Sequence, residues 1–106
     1  MYTELTIKDK VYKLKLTTKN IIGLEKTIKC NPLSIFGDGE EVPSVTTMVN
    51  ILWFSLLHFH HGIGLNEATE LFDDYLEENT MTDFLAVIID IYKVSGIITK
   101  GDYSKN

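Results

Sequence analysis

The sequence predicts an α+β fold that is predominantly helical, with an N-terminal two-stranded β-hairpin packed on about four helices. Three observations lead there. Apolar residues alternate with polar ones over Tyr2–Ile7 and again over Val11–Leu16. From Thr17 onward the apolar period lengthens to three and four residues. Asn31-Pro32, Gly37–Glu41, the Gly62–Gly64 stretch and Asn79-Thr80 punctuate the rest into helix-sized segments.

The two alternating runs flank Lys8-Asp9-Lys10, a short polar segment of the kind that joins hairpin strands. Leu5, Ile7, Tyr12, Leu14 and Leu16 are expected on the buried face, with Lys13 and Lys15 toward water. An isolated hairpin is marginal in water, so helices must cover that face. Thr17 or Thr18 caps a first helix over Lys19–Lys29, with Ile21, Leu24 and Ile28 as its stripe. Asn31-Pro32 is expected to end it, because proline disfavours a helical residue before it. Leu33–Phe36 reads as one short turn, and Gly37–Glu41 as the clearest loop.

Ser44 is the expected N-cap of a second helix running to about His60. Val45, Met48, Val49, Leu52, Trp53, Leu56 and Phe59 share one broad face, while Ile51, Phe54 and Leu57 spill to the other side. Asn66 is the expected cap of a third helix with the stripe Ala68, Leu71, Phe72, Tyr75 and Leu76, and an opposite face of six acids from Glu67 to Glu78. Thr82 is the expected cap of a fourth, Asp83–Val94, apolar almost all round. A helix of that kind is either central or lies at an interface between chains. Ser95-Gly96 ends it. The expected organisation is a single domain over residues 1–96 and a polar tail over 97–106.

The 106 residues suffice for one domain with a modest core. The longest apolar runs are far below the roughly 20 residues that span a bilayer. Met1-Tyr2-Thr3-Glu4 does not begin a secretory signal, so an intracellular location is expected. The net charge of −5 is unevenly spread: residues 1–30 hold seven lysines and three acids (+4), residues 31–106 three lysines and twelve acids (−9). The chain has no arginine, the preferred reader of phosphates and bases, so no nucleic-acid partner is expected.

No pattern points to catalysis. His58, His60 and His61 are spaced i, i+2 and i, i+3, which does not converge ligands on one helix face, so no metal is expected. Asp73 and Asp74, with Glu70 and Glu77, read as a solvated acidic face, since adjacent helical residues do not face one another. Cys30 is the only cysteine and reads as a buried or incidental thiol. No cofactor fingerprint is present, and the chain is expected to have no enzymatic activity.

Tyr12-Lys13-Leu14-Lys15-Leu16-Thr17 leads into Leu24-Glu25-Lys26 and then Asn31-Pro32-Leu33. Val42-Pro43-Ser44-Val45 precedes Ile51-Leu52-Trp53-Phe54-Ser55-Leu56. Glu70-Leu71-Phe72-Asp73-Asp74-Tyr75-Leu76 is followed by Thr82-Asp83-Phe84 and Ser95-Gly96. In this order, over almost the whole chain, these stretches resemble the small tail assembly chaperones of long-tailed phages that infect Gram-positive bacteria. The resemblance implies a viral or prophage protein of the host cytoplasm that binds the tape-measure protein, keeps it soluble, and is absent from the mature virion. It also implies self-association, no membrane partner, and, through a frameshifted longer form, recruitment of the tail tube protein. Under that reading Phe54, Leu57, Ile89 and Tyr92 are the candidate apolar contacts with partner or copy. Glu70, Asp73 and Glu77 are candidates to order neighbouring copies against the basic N-terminal region. The alternatives are another phage structural component such as a connector, or a small intracellular regulatory protein-binding module.

Overall fold

The computed structural model describes residues 1–36 and 42–99. Strand β1 (Thr3–Ile7) pairs antiparallel with β2 (Lys10–Leu14), with Leu5 opposite Tyr12 and Ile7 opposite Lys10. Lys10 is thus a strand residue, and the turn is the two residues Lys8-Asp9, at φ 48° and 68°. Positive φ at both positions is what a two-residue type I′ hairpin needs to match the strand twist. Leu5, Ile7, Leu14 and Leu16 are buried and Tyr12 half-buried, so the alternating pattern sets the inner face as expected.

Helices α1 (Thr18–Ile28), α2 (Val45–Leu56), α3 (Leu65–Leu76) and α4 (Met81–Val94) follow, with a 3₁₀ turn over Pro32–Phe36. The central element is α2, which packs against α1, α3, α4 and β2. That arrangement buries Met48, Ile51, Leu52 and Leu56 completely. Ile51 is therefore core rather than overflow. The helix has partners on several sides, so a wide apolar face is used inside the chain. Of the two places expected for α4, the centre or an interface between chains, the centre is taken by α2. One side of α4 supplies buried Phe84, Ile88, Ile91 and Tyr92, while Leu85, Val87 and Ile89 are half-buried.

Four expected boundaries move. The first helix stops at Ile28, where Lys29 turns left-handed at φ 62° and donates its N–H to Glu25 O at 2.8 Å, before Asn31-Pro32 is reached. The second stops at Leu56 rather than His60, because the hairpin takes hold of the next residues. Tyr2 meets Phe59, Tyr12 meets His60, and Lys13 N–H donates to His60 Nε2 at 3.3 Å. The third begins after Gly64, two residues before Asn66, with Glu67 Oε1 accepting from Gly64 N–H at 3.1 Å. The fourth is capped by Thr80, not Thr82. Thr80 Oγ1 accepts from Asp83 N–H at 3.1 Å and Asp83 Oδ2 from Thr80 N–H at 2.9 Å, a reciprocal capping box.

Past α4, Gly96 (φ 79°) donates to Lys93 O and Ile97 N–H to Tyr92 O, the paired bonds of a Schellman motif. Ile97 and Ile98 then pack on the core, so the packed chain continues beyond residue 96. Gly37–Glu41 and residues 100–106, the expected loop and most of the expected tail, lie outside the described residues. Just past β2, backbone N–H groups tie the end of the hairpin to α2 and to the C-cap of α4. Lys15 N–H donates to Ser55 O at 2.9 Å and Leu16 N–H to Ser95 Oγ at 2.8 Å. No helix among the described residues is long and apolar enough to cross a membrane.

Candidate functional site

Val45 opens α2 immediately after its N-cap, Ser44, and Leu65 opens α3 immediately after Gly64. Both apolar side chains are left well exposed, at 47% and 41%. Between them the outer seam of the α2–α3 pair forms a groove. One half is a cavity of about 250 Å³ that includes Val45, Val49, Phe72 and Leu76 in its wall. The other is a cavity of about 260 Å³ lined by Val45, Thr46, Val49, Asn50, Leu65 and Thr69. The halves share Val45, Val49 and Thr69, so they are continuous. Glu70 and Asp73 stand on the rim of the first half.

Asn50 is the one polar side chain of this groove that is buried, at 5% exposure. Its Nδ2 donates to Thr46 O at 2.8 Å, one helical turn back. That bond fixes which end of the amide faces the helix backbone, since the reversed amide would set oxygen against oxygen. Oδ1 is left buried with no hydrogen-bond partner. An unsatisfied buried acceptor costs about 1–3 kcal/mol, which the fold bears at this position.

A second, more polar cleft of about 390 Å³ lies where the hairpin meets the segment after α2. Lys10, Tyr12, His60, His61, Glu70 and Asp74 are among its walls. Burial, with the positive charges of Lys10 and Lys13, holds His60 below the usual histidine pKa. The three histidines go to different partners. His58 packs on Phe59, His60 lies beside Tyr12 and takes the Lys13 N–H, and His61 is exposed. Among the described residues no three His, Cys, Asp or Glu side chains gather in a way that could hold a metal ion. Cys30 is exposed.

The structure brings only part of the expected set together. Glu70 and Asp73 share the groove rim. Glu77 is engaged within the chain, since Lys8 Nζ sits 2.9 Å from its carboxylate and 3.5 Å from that of Asp74. Those two carboxylates raise the Lys8 pKa. Phe54 is half-buried, with its ring facing Gly23 of α1 and Trp53. Tyr92 has no exposed surface: its hydroxyl donates to Pro32 O at 2.9 Å and its ring meets the edge of Phe36. Leu57 and Ile89 are half-buried and stand outside the core cluster.

Sequence reasoning missed Leu65, Thr69 and Asn50 as groove residues, and placed Val45 and Val49 on a buried face. The available signal was Asn50 itself, an amide in the middle of an otherwise apolar run from Met48 to Phe54. No family model, no curated protein and no solved structure matches the chain.

Proposed function

We propose that this protein is a non-catalytic tail assembly chaperone that binds the tape-measure protein of a long-tailed phage and keeps it soluble until tail tube subunits enclose it. The observation that carries the reading is the open apolar groove between α2 and α3, rimmed by Glu70 and Asp73. A tape-measure protein is long and helical, and an amphipathic helix laid in a groove is a common way to hold such a chain. The ordered resemblance from Tyr12 to Gly96 supports the same reading from the sequence. On this proposal the protein acts in the host cytoplasm, works as a homo-oligomer, and is left out of the mature virion. A longer frameshifted form would bring in the tail tube protein.

Co-expression with the tape-measure protein of the same genome, followed by pull-down on a tagged copy of this chain, tests it. The expected result is a soluble tape-measure protein carrying several copies of the chaperone. An insoluble, unbound tape-measure protein beside well-folded chaperone rejects the reading in favour of a connector or regulatory module.

A further inference from the structure

We infer that the α2–α3 groove takes a single amphipathic helix of about three turns, flanked by lysine or arginine, with a hydrogen-bond donor placed over Asn50. This deepens the chaperone reading by naming the chemistry of the bound segment, and it rests on that reading only for the segment's source.

Length comes first. Leu65 and Leu76 mark the two ends of the groove on α3, and at 1.5 Å per residue they stand about 16 Å apart, three turns of a docked helix. Next is shape: Val49 and Phe72 form a nearly closed floor, while Val45 and Leu65 stand up from it with almost half their surface open. Apolar side chains at i, i+3, i+4 and i+7 of a partner helix fit such a trough.

Charge then selects the partner. Among the described residues the rim carries Glu70 and Asp73 and no lysine, in a stretch from residue 31 onward that holds twelve acids against three lysines. Like charges placed on that rim are repelled and basic ones attracted, which sets both encounter rate and selectivity. Asn50 adds a point of recognition independent of charge. One N–H of its amide is committed to Thr46 O while Oδ1 has no partner, and an acceptor is satisfied only by a donor. Asn50 lines the groove but is buried at 5% exposure, so a partner's donor reaches Oδ1 only as the side chains over it part.

The test uses the full chain, ¹⁵N-labelled, titrated with two synthetic amphipathic peptides of about fourteen residues that share one apolar stripe. Both carry one serine in the stripe; one has lysine flanks and the other glutamate flanks. The expected result is amide shifts at Val49, Leu65 and Thr69, with the lysine peptide binding about tenfold more tightly and losing that advantage as salt rises. Glu70→Lys with Asp73→Lys is expected to invert the preference. Asn50→Leu is expected to weaken the lysine-flanked peptide about tenfold while leaving the thermal midpoint unchanged or higher, which separates recognition from a structural role. Equal binding of both peptides, shifts confined to other surfaces, or groove shifts that appear on concentrating the protein alone, overturn the proposal. Co-expression of the Glu70→Lys, Asp73→Lys variant separates the two readings. Wild-type and variant solubilising the tape-measure protein equally removes the groove and keeps the chaperone. Charge-selective peptide binding without solubilisation removes the chaperone and keeps the groove.

Discussion

Asp9 sits at φ 68°, a conformation in which a Cβ is crowded by the following carbonyl. Left-handed geometry costs an L residue roughly 1–2 kcal/mol, and glycine avoids that. Asp9→Gly is therefore expected to stabilise the fold by about 1 kcal/mol, raising the thermal midpoint by about 4 °C. A calorimetric scan showing no rise would disprove the strain argument. Its neighbour Lys8 also has positive φ but holds Asp74 and Glu77, so glycine there exchanges strain relief for a lost ion pair. Gly23 shows the opposite case. A Cβ built there lies 2.7 Å from Phe54 Cε1, closer than real side chains approach. Alanine gains about 1 kcal/mol of helix propensity but meets an overpacking cost of about 1–3 kcal/mol, so packing decides the sign. Gly23→Ala is expected to lower the urea midpoint, and the loss should shrink in a Phe54→Leu background. Additive effects of the two changes would rule out the contact as its cause.

Helix ends carry the next scale. Sequence places the α4 cap at Thr82, whereas the capping box is built by Thr80 and Asp83. Loss of an N-cap hydroxyl costs about 1 kcal/mol, so Thr80→Ala is expected to destabilise by that amount and Thr82→Ala by a few tenths at most. Chemical denaturation of both variants checks it, and equal losses would contradict the geometry. The end of α2 is set from outside the helix. The chain after Leu56 is drawn to the hairpin by the Lys13 N–H bond to His60, and Trp53 Nε1 donates to Ile63 O at 2.9 Å across the turn. The bond to Nε2 requires a lone pair there, so the neutral imidazole is the one that fits.

That last contact has a consequence for the molecule as a whole. Burial and the charges of Lys10 and Lys13 keep the folded-state pKa of His60 below its unfolded value. The unfolded chain then binds the extra proton, so this contribution to stability is complete above about pH 6.5 and is lost as pH falls through the folded pKa. Unfolding free energy measured between pH 7.5 and 5 is expected to fall more steeply for the natural chain than for His60→Gln. Parallel curves would remove His60 as the cause. The charge split between the N-terminal region and the rest is partly settled within one molecule, by Lys8 against Asp74 and Glu77. Self-association is therefore better sought through Leu57 and Ile89, half-buried yet outside the core. If copies associate there, Ile89→Glu lowers the mean mass in light scattering at high protein concentration while leaving the helical circular dichroism intact. An unchanged mass excludes Ile89 from such an interface.

By itself the sequence determined the periods, and with them the hairpin, the four helices and their order. Alternation of Leu5, Ile7, Tyr12 and Leu14, and the stripe of Ala68, Phe72 and Tyr75, are local properties of the chain that any buried partner will select. It also determined that acids crowd one side of α3, where Glu70 and Asp73 came to rim the groove. Tertiary structure alone decided which apolar faces find partners. The sequence reads α4 as apolar nearly all round and α2 as one broad apolar face with overflow, and only packing made α2 the centre, closed Ile51 and Tyr92 inside, and left Val45 and Leu65 open. The groove was illegible for the same reason: it exists where two helices from different parts of the chain run side by side, and the orphaned oxygen of Asn50 is defined by the neighbours that bury it without bonding it. The end of α2 belongs to this second class as well, since the turn after it is fixed by a strand more than forty residues away in the chain.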